Sequence, residues 1–303
     1  MTRQATWYRL LALGLAVAVG AATAESRAGR QLNSLRIGTS GTLTSEGGGK
    51  NEKSSLDTLK SFIKDETHLE SEINHQKDWQ ELATKMSKGD LDVGVFQGFE
   101  FAWARQRFPE LTPLAVAVNI YVYPTVYVVA GRDIPAKDFA GLQGKSISMV
   151  TDGTGTIHLY VERQCKAAGK KPEEFFSKIA KRDNFEDALD DVVDGEVQSA
   201  AADRAALDAY KRRKPGRFAK LKPVAQSQPF PPAVVVYYNN HLDEGTLKQF
   251  RDGLLGASDK EKGQTMLTLF RLSGFQTPPG DFDKVLAATR AAYPPENDNG
   301  KQK

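Results

Sequence analysis

Apolar residues along this chain fall into two alternating patterns. Short apolar runs bounded by turn residues mark buried strands, and stretches with apolar positions three and four apart mark amphipathic helices. Leu35-Arg36-Ile37-Gly38 is a short strand, and residues 39–53, with Gly47-Gly48-Gly49 at their centre, are a flexible loop. Ser54 or Ser55 is placed to cap a helix carrying Leu56, Leu59, Phe62 and Ile63. Residues 73–76, 91–96, 114–118 and 125–130 follow as strands, with helices at 78–87 and 99–107 between them.

The alternation then starts again. A strand at 146–150 leads through a turn at 151–155 into a helix at 156–168, followed by a helix at 185–193, a strand at 200–202 and a helix at 205–211. The basic stretch 211–222 coats an exposed helix end and loop, Val224-Ala225 comes next, residues 233–238 are a strand, and helical stretches lie near 247–255 and 265–272. Strands alternating with helices predict an α/β protein with largely parallel sheets. The two halves share a style without a sequence repeat. Residues 121–125 and 226–232 are the natural places for the chain to cross between two lobes, and residues 294–303 are polar and expected to be disordered.

The first 24 residues stand apart from this pattern. Arg3 and Arg9 precede an apolar stretch at 10–20, and Ala22-Thr23-Ala24 fits signal-peptidase cleavage before Glu25. The apolar run is shorter than the roughly 20 residues of a bilayer span. No cysteine lies near the cleavage site for a lipid anchor, so a soluble, exported, periplasmic chain is expected. Of the 41 Lys and Arg, two leave with the leader, so 39 stand against 38 Asp and Glu and the formal charge falls from +3 to +1. That balance excludes an electrostatic nucleic-acid binder. Cys165 is the one cysteine, which rules out an internal disulfide and predicts a buried thiol.

Motifs for catalysis are missing. There is no G-x-S-x-G elbow and no H-E-x-x-H, and His68, His75, His158 and His241 lack metal-ligand spacing, so neither cofactor nor metal is expected. Gly141-Leu-Gln-Gly144-Lys145-Ser146 lacks P-loop spacing and leads into a strand rather than a helix. One segment does carry chemistry. Val150-Thr151-Asp152-Gly153-Thr154-Gly155-Thr156 turns from a strand into a helix start, offering backbone N–H groups and hydroxyls to an anion. Thr154 or Thr156 could equally be a plain helix cap, and the turn alone leaves both readings open.

Four segments read in order, residues 86–96, 121–145, 153–197 and 227–236, resemble the phosphate/phosphite/phosphonate solute-binding proteins of ABC importers, a branch of the type II periplasmic binding proteins. Met86-Ser-Lys-Gly89-Asp90-Leu-Asp92-Val-Gly94-Val-Phe96 is similar to the family's "sG.vDia" strand. Tyr121 through Thr125-Val-Tyr-Val-Val-Ala130 to Asp138-Phe139-Ala-Gly-Leu142-Gln-Gly144-Lys145 looks like its crossover strand and "dLkGk" lead-in. The Gly153-Thr154-Gly155-Thr156 turn, with Phe175-Phe176 and Val192-Val-Asp194-Gly195-Glu196-Val197 after it, resembles "G-S-T-S-G", "fF" and "aV.dGevda". Ser227-Gln-Pro229-Phe230-Pro231-Pro232-Ala-Val-Val-Val236 resembles the return crossing. The chain departs from the pattern at Gly155 and Ile157 in the turn, at Phe185 where phosphonate binders place a His, and at Gln97-Gly98-Phe99-Glu100-Phe101, where a cleft tyrosine is lost.

The resemblance implies a two-lobed type II periplasmic-binding-protein fold with two crossover strands. Residues 33–122 and 229–295 would form a discontinuous first lobe, 123–228 the second, and 296–303 a disordered tail. It implies a monomeric, non-enzymatic protein that captures a small anionic ligand, phosphonate- or phosphate-like, and delivers it to an ABC transporter permease. The implied ligand contacts are Gly153, Thr154, Gly155 and Thr156 from the second lobe and Thr39, Ser40, Thr42 and Phe101 from the first. Asp203 falls where some members have an acid that pairs with a ligand amino group. For Glu100 and Asp203 a solvated surface carboxylate is the alternative. Two other functions stay open: a ligand-sensing or interaction protein that has lost the phosphonate site, and an enzyme on the same fold, which would need a clustered His/Cys site.

Overall fold

The structure is a computed structural model and describes residues 34–40, 50–151 and 155–296, for residues 50–55 the backbone alone. The leader at 1–24, Thr42, Gly153, Thr154 and residues 297–303 lie outside the described residues. The chain runs β1 (Ser34–Ser40), α1 (Lys50–Thr67), β2 (Glu70–Gln76), α2 (Trp79–Lys88), β3 (Val93–Phe96), α3 (Gly98–Arg107), β4 (Leu111–Val118) and β5 (Val126–Gly131). It continues through β6 (Ser146–Val150), α4 (Gly155–Ala167), α5 (Pro172–Phe175), β7 (Lys178–Arg182), α6 (Phe185–Val193), β8 (Ser199–Asp203), α7 (Arg204–Arg213), α8 (Pro215–Phe218) and β9 (Leu221–Gln226). Then come β10 (Val234–Tyr238), α9 (Glu244–Leu255), α10 (Glu261–Leu269), β11 (Gly274–Gln276) and α11 (Phe282–Ala292).

These elements build two sheets, in the orders β11-β4-β10-β3-β1-β2 and β7-β6-β8-β5-β9. Both are mixed, which corrects the expectation of largely parallel sheets. β1 pairs in parallel with β2 and β3, but β10 is antiparallel to β3 and β4. Likewise β6 is parallel to β7 and β8, whereas β5 is antiparallel to β8 and β9. The antiparallel pairs arise because each sheet accepts a strand entering from the other. The result is the two-lobed type II periplasmic-binding-protein fold.

Helices cover both faces of each sheet, because the strands are apolar on both sides. Beneath the first sheet, Leu35, Ile37, Val93 and Val235 pack against Phe62 and Ile63 of α1, Phe250 and Leu254 of α9 and Met266 of α10. A second cluster on the other face runs from α2 and α3 through Phe230 and Tyr293 to Ile147, Leu159 and Phe175 of the second lobe. The third lies under α6 and α7.

One local unit occurs in both lobes. A helix stops at a left-handed glycine, Gly89 (φ 76°) or Gly195 (φ 79°), and the residue three further on locks the following strand, β3 or β8, to its parallel neighbour, β1 or β6. In the first lobe Asp92 accepts from Arg36 N at 2.9 Å; in the second, Gln198 Oε1 accepts from Ser146 N at 2.7 Å. Different residues make the same bond, so the kinship of the halves does not show as a sequence repeat.

Several expected boundaries move. Ser54 and Ser55 lie inside α1 rather than capping it, and residues 39 and 40 belong to β1. The basic stretch 211–222 does more than coat a surface: Arg213, Lys214 and Arg217 pair with Glu186 and Asp190 of α6 and with Asp194 at its C-terminal end. Cys165 is fully buried, and burial pushes its thiol up to about 12. Among the described residues no helix is long and apolar enough to cross a membrane. Among them, too, no group of three or more His, Cys, Asp or Glu could hold a metal ion.

Candidate functional site

The chain passes from the first sheet to the second between β4 and β5 and returns between β9 and β10. The two crossings are bonded together: Val126 N donates to Ser227 Oγ at 2.9 Å and Phe230 N to Pro124 O at 2.8 Å. They join the sheets at the edge where β1, β3, β6 and β8 all end, so the carboxyl ends of the parallel strands face each other across a cleft. Open α/β sheets bind ligands at that edge.

The first-lobe wall is made by β1, α2, α3 and the turn after β4. Phe99 and Trp103, one helical turn apart on α3, sit edge-on with ring centroids 5.0 Å apart, and Trp79 lies 6.1 Å from Trp103. All three line the cleft. Phe101 does not, which corrects its expected role. Two residues along a helix is roughly 200° of rotation, so Phe101 points away from Phe99 and is wholly buried between Phe96 and Phe282. α3 abuts the return crossing so closely that a Cβ on Gly98 would overlap the carbonyls of Pro231 and Pro232.

Between these aromatics lies a buried carboxylate. Glu100 is 3% exposed, accepts from Gln97 N at 3.2 Å and from the Ser40 hydroxyl, and lines the cleft with Gln97. It is no solvated surface group. Ser40 is itself fully buried, and Thr39 lines the cleft, its Oγ1 3.1 Å from His75 Nδ1 on the neighbouring strand.

The second-lobe wall is made by the start of α4 and the ends of β6 and β8. Gly155 opens α4 and lines the cleft, and Thr156 follows it, buried, in the first turn. Thr151 holds the end of β6 by donating its N–H to Arg182 O at 2.9 Å. Asp203 lines the cleft and caps α7, accepting from Ala206 N at 2.7 Å. Burial holds its carboxyl above the ordinary aspartate range, against the pull of the Ala206 and Ala205 N–H groups. Phe185, at the position where the family pattern has a His, also lines the cleft.

A C-terminal strap, which the sequence reading missed, closes one end. α11 packs on α3, and Trp103 Nε1 donates to Tyr293 O at 2.7 Å. The chain then reaches the second lobe, where Arg163 Nη2 donates to Pro294 O at 2.6 Å and Lys166 pairs with Glu296 at 3.0 Å. Residues 294–296 are therefore anchored rather than part of a disordered tail. The hydrogen bond from Lys166 holds the Glu296 carboxyl below its usual range.

The family model described as "ABC transporter, phosphonate, periplasmic substrate-binding protein" matches residues 47–281. The chain belongs to this family. No curated protein matches it in sequence. Among solved structures it is similar to XAC2383 from Xanthomonas citri bound to chloride ion, at 16% identity and a TM-score of 0.62, covering 86% of this chain and 98% of that one. It is also similar to PhnD1 from Prochlorococcus marinus in complex with methylphosphonate, at 14% identity and a TM-score of 0.58, covering 86% and 97%. A third is a binding protein component of an ABC phosphonate transporter from Pseudomonas aeruginosa, at 15% identity and a TM-score of 0.53, covering 89% and 90%. XAC2383 was also solved bound to ATP. At such identities the likeness concerns the fold, and the fold alone does not choose a ligand.

Proposed function

We propose that this member of the phosphonate substrate-binding family captures a small anionic, phosphonate-like ligand between its lobes and presents it to an ABC permease. It binds its ligand without transforming it. The observation that carries the reading is the convergence of the first turn of α4, which opens at Gly155, and the start of α3, with Gln97 and Glu100, on one cleft beside the crossings. The α4 end supplies N–H groups and the positive end of a 13-residue helix. Gly153 and Thr154 complete the proposed donor turn, Thr39, Ser40 and Thr42 are its first-lobe counterpart, and Asp203 faces it from the end of β8. Lobe closure about the two crossings would give the permease a liganded shape to recognise. The leader at 1–24 would place the monomeric mature chain in the periplasm.

A thermal-shift panel tests this on the mature chain, using phosphate, phosphite, phosphonates, sulfate and neutral metabolites. A ligand that binds only the folded state raises the melting point by linkage. The proposal expects at least one small anion to do so. Silence from every anion, with stabilisation by a neutral or cationic metabolite, would overturn it.

A further inference from the structure

We propose that the cleft runs on from the α4 terminus into an apolar trough, and that its ligand is an organic anion carrying an apolar body of several carbons rather than inorganic phosphate or methylphosphonate. This rests on the reading of the cleft as an anion-binding site. α3 and α4 both begin at the anion end of the cleft and both meet the C-terminal strap at the other. There Trp103 of α3 donates to Tyr293 O at 2.7 Å, and Arg163 of α4 donates to Pro294 O at 2.6 Å. The two helices therefore run side by side along the cleft. From Gly155 to Arg163 is eight residue steps, about 12 Å of helix.

Between those ends the lining is largely apolar. On α4, Leu159 stands one turn after Gly155 on the cleft face, and Glu162 and Arg163 come a turn later still. His158 Nε2 lies 3.3 Å from Val150 O, back towards the end of β6. On the facing wall Phe99 and Trp103 stand one turn apart, their ring centroids separated by 5.0 Å. Phe185 adds a half-buried ring where the family pattern has a His. Phe99, Trp103 and Leu159 are 5%, 9% and 7% exposed, so the trough is narrow. A bare oxyanion can bond the N–H groups that open α4 but gains nothing from such walls. An apolar body leaves water against them, at roughly fourfold in affinity for each methylene buried.

Phosphonates that share a head group isolate the contribution of the body. Calorimetric titration of the mature protein with phosphate, methylphosphonate and pentylphosphonate at one pH is expected to show pentylphosphonate bound at least about tenfold tighter than either of the others. In Leu159→Asn, which turns a polar group towards the chain carbons, the ratio of pentylphosphonate to methylphosphonate affinity should fall by at least about twofold. If Leu159→Asn does not fold, Phe185→His, at a half-buried position, carries the same expectation. A purely structural role for either residue would lower the melting point and weaken both phosphonates alike, leaving their ratio unchanged. The inference is overturned if the wild type binds pentylphosphonate no tighter than methylphosphonate, or if the folded variant keeps the wild-type ratio. Either result leaves the anion-binding reading standing. Binding of none of the three probes by the wild type overturns the inference and counts against that reading as well.

Discussion

Replacing Asp92 by alanine should destabilise the first lobe by about 3 kcal/mol. Asp92 lies just before β3, the strand that leads into α3 and so brings Gln97 and Glu100 to the cleft. Its Oδ2 accepts from Arg36 N at 2.9 Å and Nε at 3.0 Å, and its Oδ1 accepts from Nη2 at 2.6 Å. The aspartate side chain is 3% exposed and the arginine 25%. Removing one partner of a buried ion pair costs about 3–5 kcal/mol, because the other charge is left without compensation. Here Arg36 keeps its bond to Gly89 O at 2.7 Å and a quarter of its surface in water, which places the cost at the low end. For a chain of this size each kcal/mol moves the melting point by about 2–4 °C, so the drop should be about 6–12 °C. The tryptophans of the mature chain, Trp79 and Trp103, flank β3 on α2 and α3, so denaturant unfolding followed by their fluorescence reads this lobe. Asp92→Leu combined with Arg36→Met should recover much of the loss, since an apolar pair of similar volume is often neutral. A loss below about 0.5 kcal/mol in Asp92→Ala would refute the argument that this pair locks β3 to β1.

Three further outcomes follow from other parts of the fold. Gly98→Ala should cost more than about 1–3 kcal/mol, the usual toll of overpacking, because the added methyl meets backbone rather than a movable side chain; a melting curve checks it. Asp203 holds its proton more tightly when folded, so its contribution to stability is greatest in acid and declines as pH rises through the carboxylate range. Asp203→Asn keeps a capping oxygen and should remove that decline in melts from about pH 4 to about pH 7, whereas Asp203→Ala should lose about 1 kcal/mol of capping. Cys165, fully buried with its thiol raised to about 12, should resist a thiol reagent in the native protein and react fully once unfolded.

The alternation of strands and helices was legible because short apolar-rich runs such as Ser146–Val150 are buried along their whole length and α6 has a clean apolar stripe. β7 was not legible. It is an edge strand whose one buried residue is Ala180, so no periodicity marks it. α11 carried a readable signal in Phe282, Leu286 and Thr289, spaced on one face, that the reading passed over. In the site, Phe99, Phe101 and Trp103 are all apolar on a helix buried on several sides, so their sequence cannot say which face meets the cleft. Glu100 was noticed but its burial was hidden, because its partner Ser40 lies 60 residues away. The antiparallel crossing strands were invisible for the same reason: direction in a sheet is set by tertiary pairing, not by the strand's own residues.

The most direct test of the account is a crystal structure of the mature protein with whichever small anion stabilises it most. The account predicts that anion between the lobes, bonded to Thr156 and the N–H groups that open α4, with Gln97 and Glu100 on the opposite wall. An anion seated outside the cleft, with the α4 terminus turned to solvent, would contradict it.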